Sequence, residues 1–313
     1  MDIAELAPPL VNSLMLGSLV TLMAVGLTLT YAVTRVLNIA HAELVTLGGY
    51  TLVLAVNQWQ WHVIPAVLLA MAVSSVAALV MDELVFRRMI ERKAAFLYIL
   101  VASIGVGIIL RHLIFIFADI MGWLNVKARV TINPVFRLGY ANVTDLLLWV
   151  LPIAIVSAIL LYIFLNRTRI GTAMRAVADN LALAAASGVR VVLARRAAWL
   201  VSGALAGLAG ALWAVYSPIN PEMGWVTLLR VVAASILGGL TSIGGTIAGG
   251  YLVGFGENFG IFFARDWFRV PLEYRSIITF LIIIVVLLVR PQGLTNLRFP
   301  WQRDPNRVTR EEA

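Results

Sequence analysis

Cysteine is missing from all 313 residues, and charged side chains are scarce at 13%. The first absence excludes disulfides and thiolate metal sites. The second excludes an ordinary water-exposed surface, because the chain is 61% hydrophobic with a mean hydropathy of +0.93. Histidine occurs only at positions 41, 62 and 112, too scattered to cluster around a metal. No metal and no other cofactor is expected. Lysine is confined to Lys93 and Lys127, and neither follows a glycine, so a phosphate loop ending in Gly-Lys is excluded. G-x-S-x-G and H-E-x-x-H motifs are also missing. An enzyme is therefore disfavoured, and any ATP hydrolysis that drives this chain belongs to a separate subunit. Strand-period alternation is absent as well, which disfavours an outer-membrane barrel.

What is present points to an all-α polytopic transmembrane bundle, because in lipid each segment must satisfy its own backbone. About eight apolar segments lie near 10–34, 38–57, 63–86, 94–118, 143–165, 197–216, 227–263 and 270–289. Most have the ~20 residues needed to cross the hydrocarbon. The seventh is too long for one helix and is interrupted by LGGLTSIGG at 237–245. It is expected to form two helical halves around a glycine-rich break, entering and leaving on one side. Residues 1–296 form one membrane domain, followed by a polar tail at 297–313. The N-terminus lacks the basic region of a cleaved signal peptide, so its first apolar run is expected to stay as a helix.

The net charge of +8 is explained by topology rather than by nucleic acid. With the N-terminus outside, 16 basic residues fall inside and six outside, while Arg111 and Arg230 remain within spans. The C-terminus is then cytoplasmic. The longest outside loop, 119–142, offers a place for an external partner. Arg111 and Asp119 are expected to snorkel at a span end, and Glu257 and Arg230 to be able to pair across segment seven. Small residues spaced four apart (Ser13, Gly17 and Thr21; Gly203 and Gly207; Gly245 and Gly249; Gly250 and Gly254) predict close helix packing, within the chain or against a second copy.

The segment at 166–196 is a basic island between two membrane-length runs, with six arginines and one acid, Asp179. Met174, Val177, Leu181 and Ala184 recur at helical spacing as one apolar stripe. Thr172 is suited to cap its start, and Gly188 to end it. Such a helix either lies on anionic lipid or seats its stripe in a groove on a soluble partner.

Several stretches together resemble the permeases of branched-chain amino acid ABC importers. They are LTLTYAVTRVLNIAHAELVTLGGY at 27–50, RIGTAMRAVADNLALAAASGV at 169–189, SGALAGLAGAL at 202–212, SILGGLTSIGGTIAGGYLVGFGEN at 235–258 and LLVRPQGL at 287–294. Together they span most of the chain. Where such permeases show glycine in N-x-A-H-G-E, this chain has Ala42. The resemblance implies a type II ABC importer permease-like fold in a bacterial inner membrane. It also implies cytoplasmic ABC ATPase subunits, a periplasmic substrate-binding protein, and either a second related permease or a homodimer. The solute is a branched-chain amino acid or a related small amino acid, amide or carboxylate. ATPase coupling then falls on Gly171, Met174, Arg175, Val177, Asp179, Leu181 and Gly188. The translocation path falls on Asn38, His41, Glu43, Gly238, Gly239, Ser242, Gly244, Gly245 and Glu257. For Asn38, His41 and Glu43 the alternative is a hydrated position at the inner interface beside Arg35. The rival function is an ion- or proton-coupled carrier that uses Glu43 or Glu257.

Overall fold

The computed structural model describes residues 3–271 and 274–289, so the tail expected at 297–313 lies outside the described residues. In chain order the helices begin with α1 (Ala7–Thr34), α2 (His41–Val53), α3 (Val63–Met81), α4 (Arg87–Glu91) and α5 (Phe96–Ile120). A short hairpin of β1 (Pro134–Leu138) and β2 (Ala141–Thr144) follows. Next come α6 (Asp145–Arg167), α7 (Arg169–Asp179), α8 (Leu181–Ala186) and α9 (Val191–Tyr216). The chain continues through α10 (Met223–Leu237), α11 (Ile243–Phe268) and α12 (Arg275–Val289). π-helical turns prolong α2 over Leu54–Gln58 and join α3 to α4 over Asp82–Phe86.

Five helical stretches among the described residues are long and apolar enough to cross a bilayer: Ala4–Thr34, Val63–Glu91, Phe96–Ile120, Asp145–Arg167 and Val191–Tyr216. Burial separates them. In their most apolar windows, 78% of α1 and of α9 is buried, against 22% of α3 and of α5. The first two therefore form the centre, while α3, α5 and α6 turn residues such as Leu68, Ile109 and Leu160 outward. A helix that is apolar all round and half uncovered is what a lipid solvent permits.

Small residues set the central packing, and all of these contacts are within the chain. A Cβ at Gly254 would stand 2.6 Å from Gly17 Cα, and one at Gly250 2.9 Å from Thr21 Cα, so α11 lies flush on α1. Gly203 and Gly207 bring α9 equally close to Ser75 and Ala70 of α3. Such approach gains van der Waals contact that larger side chains would prevent.

Arg35, the 82–91 segment and the 169–196 island gather at one end of the bundle. Arg35 Nη2 donates to the Ala178 carbonyl at 2.9 Å. Arg195 pairs with the buried Asp82, and Arg196 pairs with Glu83 at 2.5 Å. Phe86 stacks on Trp199 beside them, with ring centroids 5.2 Å apart. The antiparallel β-hairpin sits at the other end against the start of α1, where Tyr140 N donates to the Ala4 carbonyl at 3.3 Å. It is a small departure from an all-α chain.

The second apolar segment departs from expectation. Helix α2 begins at His41, not near 38, and Arg35–Ala40 is non-helical. Arg35 ends α1 in a left-handed conformation (φ 57°). The chain then turns back along α1 as a non-helical strap.

Candidate functional site

The strap carries Asn38, and delivers His41 at the start of α2, to the middle of the bundle. His41 Nε2–H donates to the Met23 carbonyl at 2.9 Å. Met23 lies about 16 Å from the end of α1 at 1.5 Å per residue. Non-helical backbone at that depth survives only where protein satisfies it, and α5 does so. Ile39 N donates to Ser103 Oγ at 3.3 Å. Gly107 admits Ala40, whose Cα would stand 3.4 Å from a Cβ placed there. The reading of Asn38, His41 and Glu43 as hydrated interfacial residues is thus corrected, since all three are buried.

Their roles differ. The His41 ring is taken up between α1 and α9, with Ser202 Oγ 3.3 Å from Nδ1, and Ser202 itself donates to the Gly26 carbonyl at 2.8 Å. With Nε2 committed to the Met23 carbonyl and Nδ1 turned onto Ser202, the fully buried ring presents no exposed nitrogen. Asn38 is the reverse: fully buried, with neither amide atom hydrogen-bonded among the described residues. Unpaired buried polar atoms are rare and call for an explanation.

Glu43 pairs with Arg111 across α2 and α5. Arg111 Nε and Nη2 both donate to Glu43 Oε1, at 3.0 and 2.8 Å. Arg111 is therefore not a snorkelling charge; a buried partner holds it inward. The Trp225 ring of α10 covers the guanidinium, 4.7 Å from its centroid. Glu43 Oε2 has no partner among the described residues, and neither has the buried Thr46 Oγ1. Both face Gly224: a Cβ there would lie 2.8 Å from Oε2, 2.6 Å from Thr46 Oγ1 and 2.6 Å from the Ala42 carbonyl. Close approach at Ala42 is thus supplied by a glycine on the facing helix. This mid-bundle cluster keeps spare acceptor capacity beside an exposed tryptophan.

The second buried pair is closed. Arg230 Nε of α10 donates to both oxygens of Glu257 on α11 at 2.9 Å, and Thr279 Oγ1 of α12 donates to Oε1. The pairing expected across segment seven is present. Helix α10 thus bridges the two pairs, with Trp225 on one and Arg230 in the other.

The glycine break connects α10 and α11 at 238–242. Its tip lies at the α7 end, where Thr241 and Ile243 border the same cleft as Met174 and Arg175. Gly239 (φ 90°) and Leu240 (φ 52°) make the turn. Gly238 and Gly245 pack backbone to backbone; a Cβ on Gly245 would meet the Gly238 carbonyl at 2.1 Å. Ser242 Oγ accepts from Gly245 N at 3.1 Å and caps α11. That satisfies one of the N–H groups left open at the start of α11. Gly244 is exposed and crowded by nothing.

The basic island is two helices, not one. Asn180 ends α7 and caps α8, its Oδ1 accepting from Leu183 N at 3.0 Å. The cap of α7 is Thr168, whose Oγ1 accepts from Gly171 N at 3.0 Å, and not Thr172. Gly188 does follow the end of α8, at φ 79°. The expected docking stripe is corrected too. Met174, Val177 and Ala184 are buried against the permease, whereas Leu181 is exposed. Gly171 is buried on the last turn of α6. Arg175 and Asp179 are exposed and form no ion pair with each other.

Sequence reasoning passed over Thr46, Ser103, Gly224 and Trp225. Only Trp225, an aromatic ring at the head of a helix, carried a readable signal. No group of metal-binding side chains occurs among the described residues.

Membrane-length helices packed around a non-helical strap at mid-depth define a multi-pass membrane protein. The sequence matches the family described as branched-chain amino acid transport system/permease component over residues 10–287, and the chain belongs to that family of transport subunits, which are not enzymes. It is similar to the probable branched-chain amino acid transport permease protein LivH of Methanocaldococcus jannaschii, 29% identical over 297 residues, covering 93% of this chain and 92% of the relative. BraD of Pseudomonas aeruginosa, a high-affinity branched-chain amino acid transport system permease protein, is 29% identical over 91% of this chain and 94% of its own length. LivH of Escherichia coli is 27% identical, with 90% and 93% covered. No solved structure matches.

Proposed function

We propose that this chain translocates branched-chain amino acids, or a related small amino acid, amide or carboxylate, as one membrane subunit of an ATP-driven importer. A soluble binding protein delivers the solute at the hairpin end, and ATPase subunits act at the α7–α8 end. This sets the N-terminus outside and the C-terminus in the cytoplasm. The observation that carries the reading is the Glu43–Arg111 pair, whose free carboxylate oxygen offers a passing ammonium group a partner at mid-depth. Asn38 and Thr46 add polar atoms to that route. Affinity resides in the binding protein, so no tight pocket is needed along it.

The ATPase contact falls on the outward edge of the island, where Ile170, Leu181 and Leu183 are exposed. Helix-in-groove docking uses anchors of this kind. A second permease subunit, related or identical, packs beside the first. ATP drives transport only if the ATPase binds the permease's two states with different free energy.

Reconstitution with the ATPase and binding protein tests the reading through uptake of labelled leucine into proteoliposomes. ATP-dependent accumulation is the expected result. Uptake that runs on an ion gradient without ATP replaces it with a carrier. Leu181→Asp should reduce binding-protein-stimulated ATP hydrolysis at least about fivefold, one buried contact's worth, without changing expression. Unaltered stimulation would remove the docking edge.

A further inference from the structure

The cleft at the α7 end has a chemistry of its own. It is a half-open cleft of about 580 Å³ between α1, the end of α6, α7 and the tip of the α10–α11 hairpin, within the ~300–1,000 Å³ usual for small-molecule sites. Its walls are apolar, with Leu29 and Val33 from α1, Leu165 from α6 and Met174 from α7. Its lip carries one charge of each sign, Arg175 and Asp179. Four residues apart on a helix, they stand on one face with their Cβ atoms about 6 Å apart. Neither forms an ion pair with any described residue. The neighbouring Arg35 is committed to the Ala178 carbonyl and adds further positive potential.

A ligand that answers this arrangement brings a carboxylate to Arg175, an ammonium group to Asp179 and an aliphatic body to the walls. We propose that the cleft binds a free aliphatic α-amino acid from the aqueous phase on the α7 side, separately from the mid-bundle route. The two-charge lip stands on geometry alone, while the choice of an aliphatic side chain rests on the transport reading above. An occupant touches α7 and Thr241 of the hairpin tip together, so it holds the coupling helix and α10–α11 at one separation. Transported solute that accumulates on that side thereby restrains the element through which the ATPase acts.

Equilibrium binding of tritiated leucine to the full chain in phosphatidylglycerol nanodiscs, with neither ATPase nor binding protein present, tests the site. Saturable binding is expected, displaced by isoleucine and valine. Leucinamide, which lacks the carboxylate, and 4-methylpentanoate, which lacks the ammonium, should not compete. Arg175→Gln and Asp179→Asn should each weaken binding about tenfold or more, the loss of a charge-assisted hydrogen bond, while Glu43→Gln leaves it intact. Absence of saturable binding up to roughly 10 mM overturns the proposal. So does binding lost in Glu43→Gln but kept in Arg175→Gln, which would move the ligand to mid-bundle. Displacement of leucine by phosphatidylethanolamine added to the nanodiscs also overturns it, assigning the cleft to a lipid headgroup. ATP-driven uptake by the wild-type complex is a separate assay, so failure of transport and failure of this site are told apart.

Discussion

Glu257 and Glu43 are both buried carboxylates paired with an arginine from a neighbouring helix, yet only the first has both oxygens committed. Arg230 takes both oxygens of Glu257, and Thr279 adds a third donor, so three helices are stapled at one point. Glu43 spends one oxygen on Arg111 and keeps the other unpaired against Gly224. A fully satisfied pair contributes mainly specificity of packing, whereas a half-satisfied one holds back capacity that a solute or water fills. The same side-chain chemistry is thus fully committed at one site and half committed at the other, where the proposed route runs. The rival ion-coupled reading treated the two glutamates as equivalent, and their surroundings separate them.

Three substitutions break or sharpen that contrast. The largest effect is expected for Glu257→Leu, which strands a buried arginine and should cost about 3–5 kcal/mol of stability. A fall in the thermal unfolding midpoint in detergent, partly restored by the added substitution Arg230→Met, checks it. An unshifted midpoint would deny the staple. Glu43→Gln comes next: uptake should drop about tenfold, a loss on the order of 1.4 kcal/mol in the transport step, while binding-protein affinity and unfolding midpoint stay near wild type. If the midpoint falls and residual uptake per folded protein does not, Glu43 is another staple and the contrast dissolves. The smallest effect belongs to Trp225→Leu, which removes a cation–π contact worth about 0.5–2 kcal/mol. It should lower uptake about two- to fivefold without touching the Glu257 site, as a double substitution with Glu257→Leu would show by additivity.

Much of the fold was legible because lipid makes hydropathy a direct report of span position. The glycine pairs at 245/249 and 250/254 marked real crossings. The Arg230–Glu257 pairing followed from two charges in one segment. Other features were hidden for physical reasons. The gap between the segments ending at 34 and beginning at 38 reads as an ordinary short connection, so nothing announced a strap that carries Asn38–Ala40 to mid-depth before α2 begins. Glu43 and Arg111 stand 68 residues apart, and their pairing depends on tertiary depth. For the island, periodicity revealed an apolar face on Met174 and Val177 but not the body that it covers. Asn180, a residue suited to capping, was the readable sign that one helix is two.

The contact of Gly171 with α6 has a mechanical consequence. Its Cα side is so close to the Phe164 carbonyl that a Cβ would stand only 2.1 Å away, and Arg35 tethers the far end of α7 to α1. A lever mounted this way has no backlash. Under the proposed coupling, a displacement delivered at α7 passes directly to α6 through Gly171 and to α1 through Arg35.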